Sequence, residues 1–191
     1  MADTLIFLKL TFPADGGGQA PGRPVQGESS AEGFRDLIEV ESLAWELSAK
    51  NDKAKGVGND EPQIDYHAVT VNKHFDRASL AMLNKSARTQ AAGDNRQAKR
   101  TAFQEAVFTY VEMVPGVDGA DSTLQPVIQI RIKDGYVEDL KLTVGESGNS
   151  MRVSETVRLS FTGITFQYHY PSDRSDQRRA SLKFDGKTGL H

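Results

Sequence analysis

Residues 154–171 read SETVRLSFTGITFQYHYP, and their alternation of apolar and polar residues is typical of a strand with one buried face. The apolar residues fall on odd positions up to Phe161 and on even positions from Ile164 onward. A shift of one residue turns every later side chain to the opposite face of a sheet. Glycine at 163 suits a bulge, which absorbs one residue and bends the strand. The stretch therefore predicts a strand that leaves one sheet and enters another at the corner of a barrel.

A second change of phase occurs near the N-terminus, in DLIEVESLAWELS at residues 36–48. Ile38 and Val40 alternate with glutamates, and Leu43, Trp45 and Leu47 then take the opposite phase. This stretch also predicts a strand that changes sheets. We expect Trp45 to be buried, because its large apolar side chain contributes much buried area.

The third informative stretch is VIQIRIKDGYVEDLKLTV, residues 127–144. Its Asp134-Gly135 pair resembles a two-residue hairpin turn. A hairpin there would place Ile130 opposite Asp139 and another isoleucine opposite a lysine, which is unfavourable. The pattern instead predicts one long strand that kinks at Asp134-Gly135 and keeps one face apolar, formed by Ile128, Ile130, Ile132, Tyr136, Leu140, Leu142 and Val144. After a turn at 145–152, residues 154–171 follow as its antiparallel partner.

One helix is predicted at residues 76–88, among further strands at 4–12, 63–72 and 103–114. Asp76 is a suitable N-cap, and Phe75 with Leu80 would form a hydrophobic staple. The face that we expect to pack on a sheet contains Leu80, Leu83 and Ala87, with Met82 beside it. Polar loops are predicted at 13–33, 49–62 and 89–100, and a turn region at 115–126. The predicted fold is mainly β, a two-sheet β-barrel with bent, bulged strands and one flanking α-helix, in a single domain over residues 1–191.

Composition narrows the function. The 191 residues include no cysteine, which excludes disulfides and thiolate metal sites, and the net charge of −3 gives no reason to expect a nucleic-acid partner. The N-terminal apolar run ends at Lys9, and no window is long enough to span a membrane. We expect a protein made in the cytoplasm, with no membrane insertion, that leaves the cell, if it does, without a cleaved signal peptide.

Catalytic and metal-binding motifs are not apparent in the sequence. His67, His74, His169 and His191 lack metal-ligand spacing, and no nucleophile-elbow or phosphate-loop motif is present. The acidic pairs Glu39/Glu41 and Glu138/Asp139 are interpreted as solvated strand faces. The residues thus favour a structural or binding protein with no cofactor over an enzyme.

Two basic clusters remain: Arg96, Lys99 and Arg100, and Arg174, Arg178 and Arg179. Solvated loops and an inter-subunit ion-pair surface are both open interpretations. A nucleic-acid site is a weaker one, because no stacking aromatic residues are interleaved and nearby aspartates dilute the charge.

The order of segments resembles the hemolysin-coregulated protein family, the tube subunit of bacterial type VI secretion systems. IEVESLAWELSA is similar to the family's early strand, and VNKHFDRASLAMLNKSA to its entry into the helix, with Lys73, Asp76 and Ser79 in the expected order. FQEAVFTYVEM and VIQIRIKDGYVEDLKLTVGESGN are similar to its next strands. SETVRLSFTGITFQYHYP resembles its Glu-x-Val-x-Leu-x-Phe strand near the C-terminus, which runs into Tyr and Pro.

This resemblance implies a homohexameric ring with a wide channel, and stacked rings that form a tube. The implied partners are other copies of the chain, the sheath, spike and baseplate components, and small effector proteins in the lumen. By position, the loop at 48–62 would contact a neighbouring ring, although a solvated hairpin loop is the alternative. Its candidate stacking residues are Lys50, Asn51, Asp52, Lys53, Lys55, Gly56, Val57, Gly58 and Asn59.

Two other functions stay open on the sequence alone. A monomeric small-ligand-binding β-barrel would need an interior cavity lined by residues such as Phe161 and Phe166. An enzyme would need a cleft in which a histidine lies near a carboxylate and a hydroxyl group.

Overall fold

The computed structural model describes residues 5–14, 21–50, 63–86, 101–114, 121–147, 150–171 and 179–187. These ranges contain one helix, α1 (Arg77–Ser86), and a series of strands. In chain order the strands are β1 (Leu5–Pro13), β2 (Pro21–Pro24), β3 (Ile38–Val40), β4 (Ser42–Ala44), β5 (Leu47–Lys50), β6 (Gln63–Tyr66), β7 (Val69–His74), β8 (Phe103–Val114), β9 (Thr123–Gly135), β10 (Val137–Ser147), β11 (Ser150–Leu159), β12 (Gly163–Pro171) and β13 (Arg179–Lys187).

Two antiparallel sheets enclose the core. Sheet A has the strand order β13-β12-β9-β8-β1-β2, with β3 also paired to β1, and sheet B has the order β10-β11-β7-β4. Strands β5 and β6 form a separate two-stranded ribbon. Apolar residues from sheets A and B, such as Leu10, Ile132 and Leu159, are fully buried in one cluster between them. The predicted fold, a mainly β two-sheet barrel with one flanking helix, is confirmed.

The changes of phase mark the places where the chain crosses between the sheets. β3 belongs to sheet A and β4 to sheet B, so the inward side changes from Val40 to Leu43. β11 belongs to sheet B and β12 to sheet A, and the inward side changes from Leu159 to Ile164. The predicted bulge at Gly163 is wrong in detail, because residues 160–162 leave both sheets and Gly163 simply begins β12.

The predicted kink at Asp134-Gly135 is confirmed, since β9 pairs in sheet A and β10 pairs with β11 in sheet B. Asp134 adopts a positive φ of 50°, which turns the chain there. The prediction for Tyr136 is wrong: its side chain is exposed, and Val137 is buried instead. A register shift between Val137 and Asp139 then returns the even positions, such as Leu140, to the inner side.

Two of these crossings lie side by side. Ser160 N donates to Tyr136 O at 3.0 Å, and Thr162 N donates to Lys133 O at 3.0 Å. A Cβ atom on Gly135 would overlap Ser160 O and would lie 2.5 Å from Cζ of Phe103. Glycine is therefore required at 135 because another backbone passes where a side chain would stand.

Helix α1 begins after the predicted cap: Ser79 N donates to Asp76 Oδ1 at 3.1 Å. The predicted packing face is wrong for Leu80 and correct for Met82, and Leu83 is half-buried. Ala78, Ser79 and Met82 are buried, whereas Leu80 is 55% exposed. The side of the helix that faces the sheet is therefore narrower and less apolar than the face predicted from its leucines. Ala87 lies outside the described residues. With ten residues α1 is too short to cross a bilayer, so the described ranges contain no helix that could span a membrane.

Three other expectations change in part. Trp45 is only half-buried, although its ring packs 4.9 Å from that of Phe166. The predicted turn at 115–126 is shorter at its C-terminal end, because β9 begins at Thr123. The predicted strands end at Pro171, yet a further strand, β13, pairs with β12 from Arg179 to Lys187.

Candidate assembly surfaces and a buried ionic cluster

Most of the predicted surface residues fall outside the described part of the chain. Lys50 is the last residue of β5, and its backbone pairs with Gln63. The other candidate stacking residues lie outside the described residues: Asn51, Asp52, Lys53, Lys55, Gly56, Val57, Gly58 and Asn59. The same holds for Arg96, Lys99, Arg100, Arg174 and Arg178, whereas Arg179 begins β13.

The β5–β6 ribbon, which leads into and out of the predicted stacking loop, has an apolar face. Leu47 lies opposite Tyr66, and Ile64 is on the same side of the ribbon two residues earlier. Leu47 is 42% exposed and Ile64 is 48% exposed. The Trp45 ring lies 6.4 Å from that of Tyr66, so this apolar face continues from the edge of the core into solvent. An isolated two-stranded ribbon is marginally stable in water, so this face is suited to contact another surface.

The ribbon also brings together a hydroxyl group and an imidazole. Ser48 Oγ lies 2.9 Å from His67 Nε2, and the backbone of Ser48 pairs with that of Asp65. No local pattern in the sequence indicates this pairing, because 19 residues separate the two side chains. The pair is exposed on a two-stranded ribbon. It therefore lacks the water-excluding surroundings in which such a hydroxyl is activated as a nucleophile.

Sheet B presents a polar face to solvent. Asn72 Nδ2 donates to Ser42 Oγ at 2.9 Å, and Thr156 Oγ1 donates to Asn72 Oδ1 at 2.7 Å, which links β4, β7 and β11. Arg158 forms an ion pair with Glu138 at 3.7 Å across β11 and β10. Among the described residues, the large exposed apolar side chains of this sheet lie on its other face. In the part of sheet B whose side chains the structure describes, one surface is therefore polar and has no large exposed apolar side chains.

The outermost strands of sheet B are β10 and β4. β10 pairs regularly with β11 from Leu140 to Ser147, and its other edge is not paired with any described strand. Near this edge Leu142 is half-exposed and Val144 is 62% exposed, on the side of the sheet that faces the core. A long edge strand with apolar side chains is a surface on which another chain can add by main-chain hydrogen bonding.

Four residues quoted in the sequence patterns meet in a buried ionic cluster, hereafter the Lys73 cluster: Lys73, Asp76, Ser79 and Glu155. Lys73 Nζ lies 2.7 Å from Asp76 Oδ1, 2.9 Å from Ser79 Oγ and 2.9 Å from Glu155 Oε2. Ser79 Oγ donates to Glu155 Oε2 at 2.6 Å. The lysine and the glutamate are almost wholly buried. The cluster joins the start of α1 to the middle of sheet B.

A sequence signal for this cluster existed. Lys73 is in phase with the buried residues Val69 and Val71, and Glu155 is in phase with Val157 on the neighbouring strand. A charged residue at an inward-facing position must have a partner of opposite charge. What the sequence does not show is that these two residues lie directly opposite each other in register, 82 residues apart.

The aromatic residues that would line a ligand cavity are part of the core or pack against it. Phe161, which the ligand-binding hypothesis placed in a cavity, belongs to the core cluster, and Phe166 packs against that cluster. A groove of about 840 Å³ lies instead on the outer side of sheet A, lined by polar residues such as Lys9, Glu105 and Lys133. Within the described ranges no group of His, Asp or Glu is arranged to hold a metal ion.

Comparison with known proteins supplies the family. The model of the family described as "Type VI secretion system effector, Hcp" matches residues 7–168. No curated protein sequence matches the chain.

Solved structures show the same fold. Hcp1 from Salmonella typhimurium is similar with a TM-score of 0.61 and 18% identity, over 97% of this chain and 95% of that one. Hcp3 from Pseudomonas aeruginosa, described as a secreted protein, has a TM-score of 0.59 and 13% identity, over 97% and 99% of the two chains. Hcp1 from E. coli EAEC 042 has a TM-score of 0.61 and 13% identity, over 93% and 97%.

Proposed function

The chain belongs to the Hcp family of type VI secretion system proteins, and we propose that it is a non-enzymatic subunit of the secretion tube. In this proposal six copies form a ring, and rings stack into a tube with effector proteins in its lumen. The sheath, spike and baseplate components are its further partners. The subunit is made in the cytoplasm and leaves the cell with the tube. The single observation that carries this proposal is the family match over residues 7–168.

The two outermost strands of sheet B support lateral assembly into a ring. A closed ring needs heterologous contacts, in which one surface of a subunit meets a different surface of the next. β10 and β4 are such a pair of surfaces, because they are opposite edges of one sheet. Contact between them would cover the exposed edge of β10 and the apolar side chains of Leu142 and Val144.

The polar face of sheet B suits the wall of a lumen. Cargo that must move along a tube requires weak and reversible contacts with its wall. A face formed by hydrogen-bonded groups such as Asn72 and Thr156, without large apolar side chains, provides little area for tight hydrophobic binding. We assign this face to the channel, with the β10 and β4 edges toward the neighbouring subunits.

The β5–β6 ribbon suits contact between rings. Its apolar face, with Leu47 and Ile64 about half-exposed, leads directly into residues 51–62, the position of the predicted stacking loop. Docking of the ribbon on a neighbouring ring would bury this face. The charged and glycine-containing sequence of 51–62 fits a contact that must form and separate.

The ring is tested by measuring the mass of the purified protein in solution and by negative-stain electron microscopy. We expect hexamer-sized particles and rings. A species that stays monomeric at every concentration, with no rings in the images, would refute the proposal.

A matched pair of variants tests the edge that forms the ring. Val144→Lys places a charge at the exposed apolar end of β10 and should abolish rings, while Thr143→Lys adds the same charge to the opposite face of the strand and should leave them intact. Equal behaviour of the two variants would contradict the assignment of this edge.

Ring stacking is tested separately with Leu47→Ser/Ile64→Ser. This double variant should form rings but give fewer or shorter stacks. Unchanged stacking would show that the ribbon face is not the contact between rings.

A further inference from the structure

The position of α1 is not explained by its apolar packing. Only Ala78 and Met82 among its apolar residues are fully buried, and Leu80 is mostly exposed. A helix of ten residues is marginal on its own in water, so contacts with the rest of the protein must hold it in place. Two apolar contacts fix the separation of a helix from a sheet better than they fix its position along the sheet, because dispersion and hydrophobic contacts are not directional.

Directional contacts are concentrated at the first turn of the helix. Besides its three partners in the Lys73 cluster, Lys73 Nζ donates to His74 O at 2.6 Å. An ammonium group has three protons, so these four acceptors share them. Two of the acceptors, Asp76 and Ser79, belong to the start of α1. His74 O lies at the end of β7, and Glu155 lies on β11. Displacement of the helix along the sheet would break several of these bonds together.

A second polar attachment lies on the exposed side of the same turn. The guanidinium of Arg77 donates to Gly27 O at 2.5 Å and to Asp36 Oδ1 at 2.7 Å. This ion pair is open to solvent, so water competes for both partners and screens their attraction. The buried Lys73 cluster does not face that competition and is the stronger positional constraint.

The Lys73 cluster is not the most stabilising way to fill its space. Glu155 Oε1 is buried and has no hydrogen-bond partner within the described residues. An unpaired buried carboxylate oxygen lowers stability, and apolar residues of similar volume often replace buried ion pairs without loss. An advantage other than stability explains the charges better.

We propose that the Lys73 cluster determines where α1 lies on sheet B. Its geometry selects one position of the helix, at some cost in stability. Lys73 and Glu155 are positioning residues in this role. The inference does not depend on ring formation, since it concerns contacts within one subunit.

The test separates location from stability with Lys73→Met, Glu155→Leu and the double variant. Lys73→Met leaves the buried Glu155 without its cationic partner, and Glu155→Leu leaves Lys73 paired with Asp76 alone, so the midpoint of urea unfolding should fall in each single variant. The double variant should recover most of that loss. Hydrogen exchange followed by mass spectrometry then reports on α1 itself. We expect the α1 amides of the double variant to exchange about tenfold faster than those of the unmodified protein, the factor for one or two lost hydrogen bonds, with β8 unchanged.

Two further variants keep the test decisive. Arg77→Gln is the matched control at the exposed attachment, and it should change α1 exchange less than the double variant does. Ser79→Ala removes one member of the cluster without leaving a new charge, and it should raise α1 exchange selectively even if a charge variant does not fold. The proposal is overturned if α1 keeps its full protection in the double variant or in Ser79→Ala, or if protection falls equally in β8.

Discussion

Replacing Gly135 by alanine should be among the most destabilising single-methyl additions in this protein. Gly135 lies where the chain passes from sheet A to sheet B, against the second crossing at residues 160–162. The added methyl would overlap the carbonyl oxygen of Ser160 and would lie 2.5 Å from Cζ of the buried Phe103 ring. The first of these atoms belongs to the backbone and the second to a packed aromatic ring, so neither can move without displacing the chain where it passes between the sheets.

The expected cost follows from that geometry. Overpacking a core by one carbon usually costs about 1–3 kcal/mol, and a clash with backbone belongs at the upper end of the range, so we expect about 3 kcal/mol. For a chain of this size each kcal/mol lowers the melting temperature by about 2–4 °C, which predicts a fall of about 6–12 °C. Urea unfolding followed by the fluorescence of Trp45, the single tryptophan, measures the same loss as a lower midpoint.

Gly145→Ala is the matched control, because a Cβ atom there would meet nothing within 4 Å. Its free energy of unfolding should stay within about 0.5 kcal/mol of the unmodified value. Both variants must be measured at one protein concentration, since assembly would add to apparent stability. Equal midpoints for Gly135→Ala and Gly145→Ala would refute the argument that the two crossings are in close contact.

Three further changes test the packing directly. Met82→Ala should cost about 2–4 kcal/mol, because Met82 is buried, and Leu80→Ala should cost less than about 1 kcal/mol, because Leu80 is mostly exposed. A larger loss for Leu80→Ala than for Met82→Ala in chemical denaturation would contradict this. Phe34→Ala should cost about 2 kcal/mol, because it removes the ring stacked 4.5 Å from that of Phe7. A melting temperature within about 2 °C of the parent would correspond to a loss of only about 0.5–1 kcal/mol and would argue against that contact. Trp45→Phe should change the free energy of unfolding by less than about 1 kcal/mol, because it keeps an aromatic ring and removes a buried N–H without a described partner. Trp45→Ala should cost about 3 kcal/mol. Similar losses for the two variants in thermal unfolding would count against this account.

The helix shows where reasoning from periodicity fails. Its start at Asp76 was predictable, because capping depends on residues three positions apart. Its buried face was not, because Leu80 and Met82 are both apolar and only the surface beneath the helix determines which is covered. The polar side that faces sheet B, with Ser79 buried, follows from the Lys73 cluster and not from the leucines.

The candidate assembly surfaces were also only partly predictable from the sequence. The family resemblance was readable from quoted motifs, and the family match over residues 7–168 confirms it. The predicted stacking residues after Lys50 and the basic residues Arg96, Lys99 and Arg100 lie outside the described ranges and remain predictions. The apolar face of the β5–β6 ribbon depends on the pairing of Leu47 with Tyr66. No local pattern predicts that pairing, because it joins residues on either side of a long polar loop.

The sequence by itself determined most of the long strands and the places where they change sheets, because alternation is a local property and a change of phase is visible wherever the inward side changes. It did not determine β2 or β13. It determined the kink at Asp134-Gly135 for the same reason, since a hairpin would have opposed apolar and charged residues. Only the tertiary structure decided that Lys73 meets Glu155 and that Gly135 must admit the backbone of Ser160. These contacts join residues far apart in the chain, and their register is set by the packing of whole sheets and not by neighbouring residues.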